Sequence, residues 1–136
     1  MIAVDTSVAV AAALPWHEAH AAARSALPRE KTALLAQVAV ETYSVLTRLP
    51  PRQRVPAAVA HDYLYASFEL PPLVLSPGGY QELLDLAAGE AISGGAVYDA
   101  LVGATAKAAG ATLLTLDRRA LGTYRLIGVD HRLITG

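Results

Sequence analysis

Short apolar runs that alternate with helix-length stretches constrain this chain more than any other feature. Ile2-Ala3-Val4 leads into Thr6 to Leu14, and Ala33 to Ala36 leads into Val38 to Leu49. Leu73-Val74-Leu75 precedes Pro77 to Ala91, and Thr112 to Leu116 follows the stretch around Asp99. A last short strand is expected over Arg125 to Val129, with further helices over Trp16 to Leu27 and Val55 to Phe68. Strands this short and uniformly apolar are buried on both faces, and alternation with helices points to a parallel sheet. The expected class is α/β, a central parallel sheet flanked by helices on both faces.

Pro50-Pro51, Pro71-Pro72 and Ser76-Pro77-Gly78-Gly79 read as turns between elements. None is long enough for a linker, so residues 1–136 are expected to form one domain, long enough for a real core. The absence of cysteine excludes disulfides, thiolate metal sites and cysteine nucleophiles. No apolar run reaches the roughly 18 residues that span a membrane. The opening MIAVDTSVAVAAALP has no basic flank and is interrupted by Asp5, so it reads as a buried strand and helix of a cytoplasmic protein rather than as a signal peptide. Hydrophobic residues make up 54% and charged residues 17%, which fits either apolar surface covered by a partner or simple richness in Ala and Val.

Asp99 is the anomaly. It is the only charged residue from Ala91 to Ala106, in a helix apolar on nearly every side. Asp is a poor helix former, and a buried carboxylate without a partner is costly. Asp99 therefore either sits near a helix start or has a compensating partner.

Ligands of open parallel sheets bind outside the carboxyl ends of the strands. Asp5 directly follows Ile2-Ala3-Val4, and Asp117 directly follows Thr112 to Leu116, which puts both on that edge. Glu41, about one turn into its helix, falls beside Val38 and Val45 and so borders the buried stripe. Each has a plainer reading: Asp5 or Thr6 as a helix cap, Glu41 as an ordinary early-helix acid, Asp117 as a turn residue. Together the four can converge on one sheet edge, where a hard divalent cation, Mg²⁺ or Mn²⁺, resolves their repulsion. Such an ion polarises phosphoryl oxygens and acidifies bound water. With these four set aside, eleven basic groups face eight acidic ones, a surface that nucleic acid tolerates.

The stretches IAVDTSVAV, VAVETYSVLTRLP and YDALVGATAKAAGATLLTLDRR resemble a PIN-domain ribonuclease, and more narrowly the toxin half of a VapBC toxin–antitoxin module. The resemblance covers nearly the whole chain. It implies five parallel strands with an acidic metal site at their carboxyl edge, where Asp5, Glu41, Asp99 and Asp117 match the family's acids. Thr115 matches its small hydroxyl residue, and Thr6 and Ser7 lie in the opening motif, placed to orient Asp5 or a water. The implied activity is Mg²⁺- or Mn²⁺-dependent hydrolysis of RNA by metal-activated water. The implied partners are an antitoxin seated in an apolar groove near the site and a second copy in a homodimer. Many relatives carry a further carboxylate after the last acid; here Arg118, Arg119 and Ala120-Leu121 follow Asp117, which points to one firmly held ion, with a second possible alongside substrate.

Arg118, Arg119 and Arg125 are candidates for RNA phosphates or simply a solvated basic edge, as are Arg48, Arg52 and Arg54. Lys107 reads as an exposed residue near a helix end. His17-Glu18-Ala19-His20 lacks the spacing of a helical zinc motif and reads as surface helix. Tyr63, Tyr65, Phe68 and Trp16 fit core or interface as well as base stacking. The competing function is a non-catalytic RNA-binding or scaffold module on the same fold, against which four intact acids count. A phosphohydrolase using D-x-D is excluded, because Thr6 and Ser7 follow Asp5.

Overall fold

The computed structural model describes residues 1–135. Five strands form one sheet: β1 (Ile2–Val4), β2 (Thr32–Leu35), β3 (Phe68–Leu73), β4 (Thr112–Thr115) and β5 (His131–Leu133). Their order is β3-β2-β1-β4-β5, and every pairing is parallel. Seven α-helices among the described residues connect them: α1 (Thr6–Ala13), α2 (His20–Ala26), α3 (Ala36–Thr47), α4 (Ala57–Ser67), α5 (Pro77–Gly89), α6 (Ala96–Ala108) and α7 (Leu121–Ile127).

Consecutive residues of the central strands are buried, Ala3 and Val4 in β1, Leu113 and Leu114 in β4, and all four residues of β2. Both sheet faces are therefore covered, as expected of a parallel sheet. Leu113 and Leu114 are fully inaccessible, and each contributes about 1.5–3 kcal/mol by leaving water. Among the described residues no helix is long and apolar enough to cross a membrane.

Chain order runs outward from β1 to β3 on one side and from β4 to β5 on the other. The reversal falls between β1 and β4, paired at Ile2–Thr112, Ala3–Leu113 and Val4–Leu114. At such a switch point the flanking connections diverge and leave a crevice at the carboxyl edge. Asp5, the residue after β1, lies there and donates its backbone N–H to Leu114 O at 3.0 Å.

Three expectations need correction. Arg125–Val129 is not a strand: Leu121–Ile127 forms α7, and the last strand is His131–Leu133. Tyr124 and Ile127, three residues apart, face the core from a helix that Gly128 ends in the left-handed region at φ 79°. Likewise Pro71-Pro72 is no turn, since β3 covers Phe68–Leu73 and the run Leu73-Val74-Leu75 lies mostly beyond it. β3 is an edge strand paired only with β2, and its register slips between Ala33 and Leu35, so prolines without N–H donors are accommodated. The His17 segment is also a turn, in which His17 Nδ1 accepts the Ala19 N–H at 3.0 Å before α2 begins at His20.

Candidate active site

Asp5 is 5% exposed and caps α1. Its Oδ1 accepts hydrogen bonds from the Val8 N–H at 3.4 Å and from the Ser7 hydroxyl. Its Oδ2 accepts from the Tyr124 hydroxyl at 2.8 Å. Burial pushes the Asp5 carboxyl above its usual range, and hydrogen bonding from Ser7, Thr115, Tyr124 and the Val8 N–H restrains that rise. The capping reading is thus correct, and it leaves the carboxylate at the crevice.

Asp99 falls in the first turn of α6, where the helix dipole favours a negative charge. Even so, partial burial pushes its carboxyl up to about 6, reinforced by the negative charges of Asp117, Asp5 and Glu41 and opposed by Arg119. Carboxylates from four separate segments therefore share one electrostatic neighbourhood. Asp117 follows β4 and caps the short 3-10 turn Arg118–Ala120 by accepting the Arg119 N–H at 2.9 Å. Glu41 is half-buried on α3.

The hydroxyl residues divide. Ser7 Oγ donates to Asp5 and accepts the Leu116 N–H at 2.9 Å, tying the end of β4 to the start of α1. Thr115 Oγ accepts the Asp117 N–H at 3.0 Å and is fully buried. Thr6 is half-buried at the start of α1, with no hydrogen bond to Asp5. Arg118, Arg119 and Arg125 are exposed, and Arg119 Nε lies 3.5 Å from Asp117 Oδ1. Phe68 is core, and Tyr63 is tied down by its hydroxyl to Ala9 O at 2.7 Å, whereas Trp16 and Tyr65 are exposed.

Sequence reasoning missed Tyr124, whose buried hydroxyl makes the one side-chain hydrogen bond to Asp5 Oδ2. Burial and the Asp5 charge drive its phenol well above its ordinary range, so it stays protonated and donates. Its helical spacing with Ile127 was the available signal. Lys107 is exposed, as expected, but its Nζ also donates to Ile127 O at 3.0 Å and closes the end of α7. A cavity of about 460 Å³ lined by Leu75, Leu83, Leu86, Lys107 and Ile127 contains none of the four carboxylates.

Could these residues hold a metal? Among the described residues no group of three or more His, Asp or Glu side chains stands together so as to hold a metal ion. That arrangement is the requirement of zinc rather than of Mg²⁺, which keeps several waters and needs only one or two carboxylates. The donors here are all oxygens, and the mutual repulsion that lifts Asp99 is what a cation relieves. The donor set fits a hard, partly hydrated divalent ion.

Known proteins agree with this architecture. A PIN domain family profile matches residues 2–126. The chain is 52% identical over 135 residues to Ribonuclease VapC40 of Mycobacterium tuberculosis (strain CDC 1551 / Oshkosh), covering 99% of this chain and 100% of that protein. It is 44% identical over 128 residues to Ribonuclease VapC27 of strain ATCC 25618 / H37Rv, covering 94% and 93%. The fold matches the solved structure of FitAB bound to IR36 DNA fragment with a TM-score of 0.73 at 21% identity, over 98% of this chain and 94% of that one. It matches FitAcB from Neisseria gonorrhoeae with a TM-score of 0.66 at 21% identity, over 96% of each chain. At that identity these two structures speak for the fold alone. The sequence matches go further, for they run almost end to end, and they make the chain a member of the PIN-domain family and, within it, of the VapC branch.

Proposed function

We propose that this protein is an endoribonuclease toxin of a type II toxin–antitoxin pair, residues 1–136 forming one nuclease domain that acts in the cytoplasm. The observation that carries the reading is Asp99, lifted to about 6 by burial and by the charges of Asp117, Asp5 and Glu41. Four acids from separate segments do not gather at a switch point without a cationic partner to offset the cost. The ribonuclease names of two relatives, 52% and 44% identical, support the same substrate class.

Asp5, Glu41, Asp99 and Asp117 would hold one Mg²⁺ or Mn²⁺ firmly, a second joining with substrate. When bound, such an ion neutralises charge on a phosphodiester and acidifies water. The chain's own contribution is positional. Ser7 fixes Asp5 Oδ1 and the backbone after β4 together, and Thr115 fixes the approach of Asp117. Arg118, Arg119 and Arg125 face solvent near this edge and are suited to RNA phosphates. A cognate antitoxin covers the site, and the protein pairs as a homodimer.

The test is incubation of the purified protein with total RNA in Mg²⁺, Mn²⁺ or EDTA, beside Asp99→Asn. Discrete products that disappear with EDTA and in the variant support the reading. Equal cleavage by both proteins refutes the site. RNA binding without cleavage by either favours a scaffold.

A further inference from the structure

Tyr124 is the largest fully buried side chain of the protein. Phenylalanine fills the same space without a polar tip, and a buried hydroxyl without a partner is costly. Its one partner is Asp5 Oδ2, at 2.8 Å and 119 residues away in sequence. A carboxylate has about four lone-pair directions. Oδ1 carries the Val8 N–H and the Ser7 hydroxyl, so Tyr124 is the group that holds the other oxygen, Oδ2.

The ring packs against α6, and the helix that carries it is fastened at its end. α6 carries Gly103 one helical turn after Asp99, and a Cβ at Gly103 would stand 3.3 Å from Tyr124 Cδ1. Lys107, one turn further along, closes α7 through Ile127 O. Gly128 ends α7 by donating its N–H to Tyr124 O at 3.0 Å. The helix that supplies Asp99 therefore also seats the residue that holds Asp5.

From this geometry we infer that Tyr124 is a positioning residue: its hydroxyl holds the Asp5 carboxylate in the orientation in which it would bind a divalent cation. The inference rests on the reading of Asp5 as a metal ligand. Groups that orient a metal's ligands typically alter its affinity 10–100-fold.

The experiment is titration of the purified protein with Mn²⁺, free ion being read by electron paramagnetic resonance, with melting temperature recorded in parallel. Tyr124→Phe keeps the ring and removes the hydroxyl. A dissociation constant raised roughly 10-fold or more, with cleavage recovered at high Mn²⁺, supports the inference. Wild-type affinity in a folded Tyr124→Phe protein overturns it, whatever the melting temperature does, because a purely structural tyrosine changes stability alone. Should Tyr124→Phe fail to fold, Gly103→Ala, which nudges the ring, decides: a few-fold weaker affinity supports, and no change overturns. Asp99→Asn separates the two readings. If wild type binds Mn²⁺ and Asp99→Asn does not, the metal site stands and Tyr124→Phe judges the inference alone. If wild type and Asp99→Asn bind equally or not at all, the metal reading itself has failed, and the inference with it.

Discussion

Gly103 lies directly beneath the Tyr124 ring, and a Cβ there would meet Cδ1 at 3.3 Å, with Ile127 Cγ2 and Val129 Cγ1 at 3.5 Å. The close approach of α6 and α7 depends on that missing side chain. Gly103→Ala sets a tight contact against alanine's better helix propensity of about 1 kcal/mol, so a small net change in stability is expected. Gly103→Val overfills the gap and should cost about 1–3 kcal/mol in urea denaturation. A neutral valine would mean that the helices separate freely.

Acid should stabilise this protein when divalent cations are removed. Asp99 is raised to about 6 against an ordinary value near 3.8, and Asp5 is raised as well. The folded state therefore binds protons that the unfolded chain releases, and stability falls as pH rises through this window. In EDTA the melting temperature should be higher near pH 5 than at pH 7.5, and the difference should shrink in Asp99→Asn. Saturating Mn²⁺ at pH 7.5 should raise it again, as any ligand that prefers the folded state does. A pH response identical in both proteins would show that Asp99 carries no strain.

Ser7→Ala removes two bonds at once, the one its hydroxyl donates to Asp5 and the one it accepts from the Leu116 N–H. Leaving a buried or half-buried backbone donor unpaired costs about 1–3 kcal/mol. The variant should unfold earlier in urea by this amount and cleave RNA more slowly. Unchanged stability would mean that water replaces the hydroxyl.

Thr42 presents the opposite case, being fully buried on α3 with a hydroxyl that has no hydrogen-bond partner. Thr42→Val keeps the shape and removes the orphan oxygen. Relief of an unmet buried hydroxyl is expected to stabilise by about 1 kcal/mol. A destabilised Thr42→Val would show that the hydroxyl has a partner in solution.

Arg118 and Arg119 are exposed beside Asp117, and the ion pair that Arg119 makes there is worth little in water. In an Asp99→Asn background, changing both to Gln should weaken RNA binding at low salt. The dependence of log affinity on log salt should flatten by about 0.7 for each lost phosphate contact to single strands. An unchanged slope would assign the two arginines to a solvated edge.

The parts of the fold set by local pattern were readable in the chain itself. Ile2–Val4 and Thr112–Thr115 are strands, as their short apolar runs lead one to expect, and the carboxylates that follow them, Asp5 and Asp117, lie at the carboxyl ends of those strands. Asp99 stood out because nothing else from Ala91 to Ala106 is charged. What escaped was non-local. Pro71 and Pro72 lie in a strand only because β3 has a free edge, which depends on sheet order. Tyr124-Arg125-Leu126-Ile127 fits a strand or a helix locally, and Gly128 is the mark that decides for the helix. The Tyr124–Asp5 bond joins residues 119 apart, and no spacing rule reaches that far.

The strand order places the acidic cluster on β1 and β4, two of the three strands flanked on both sides, with β3 and β5 outermost. Outer strands lose amide protection first, and inner ones only when the whole domain opens. Fraying at either margin thus leaves the arrangement of charges undisturbed.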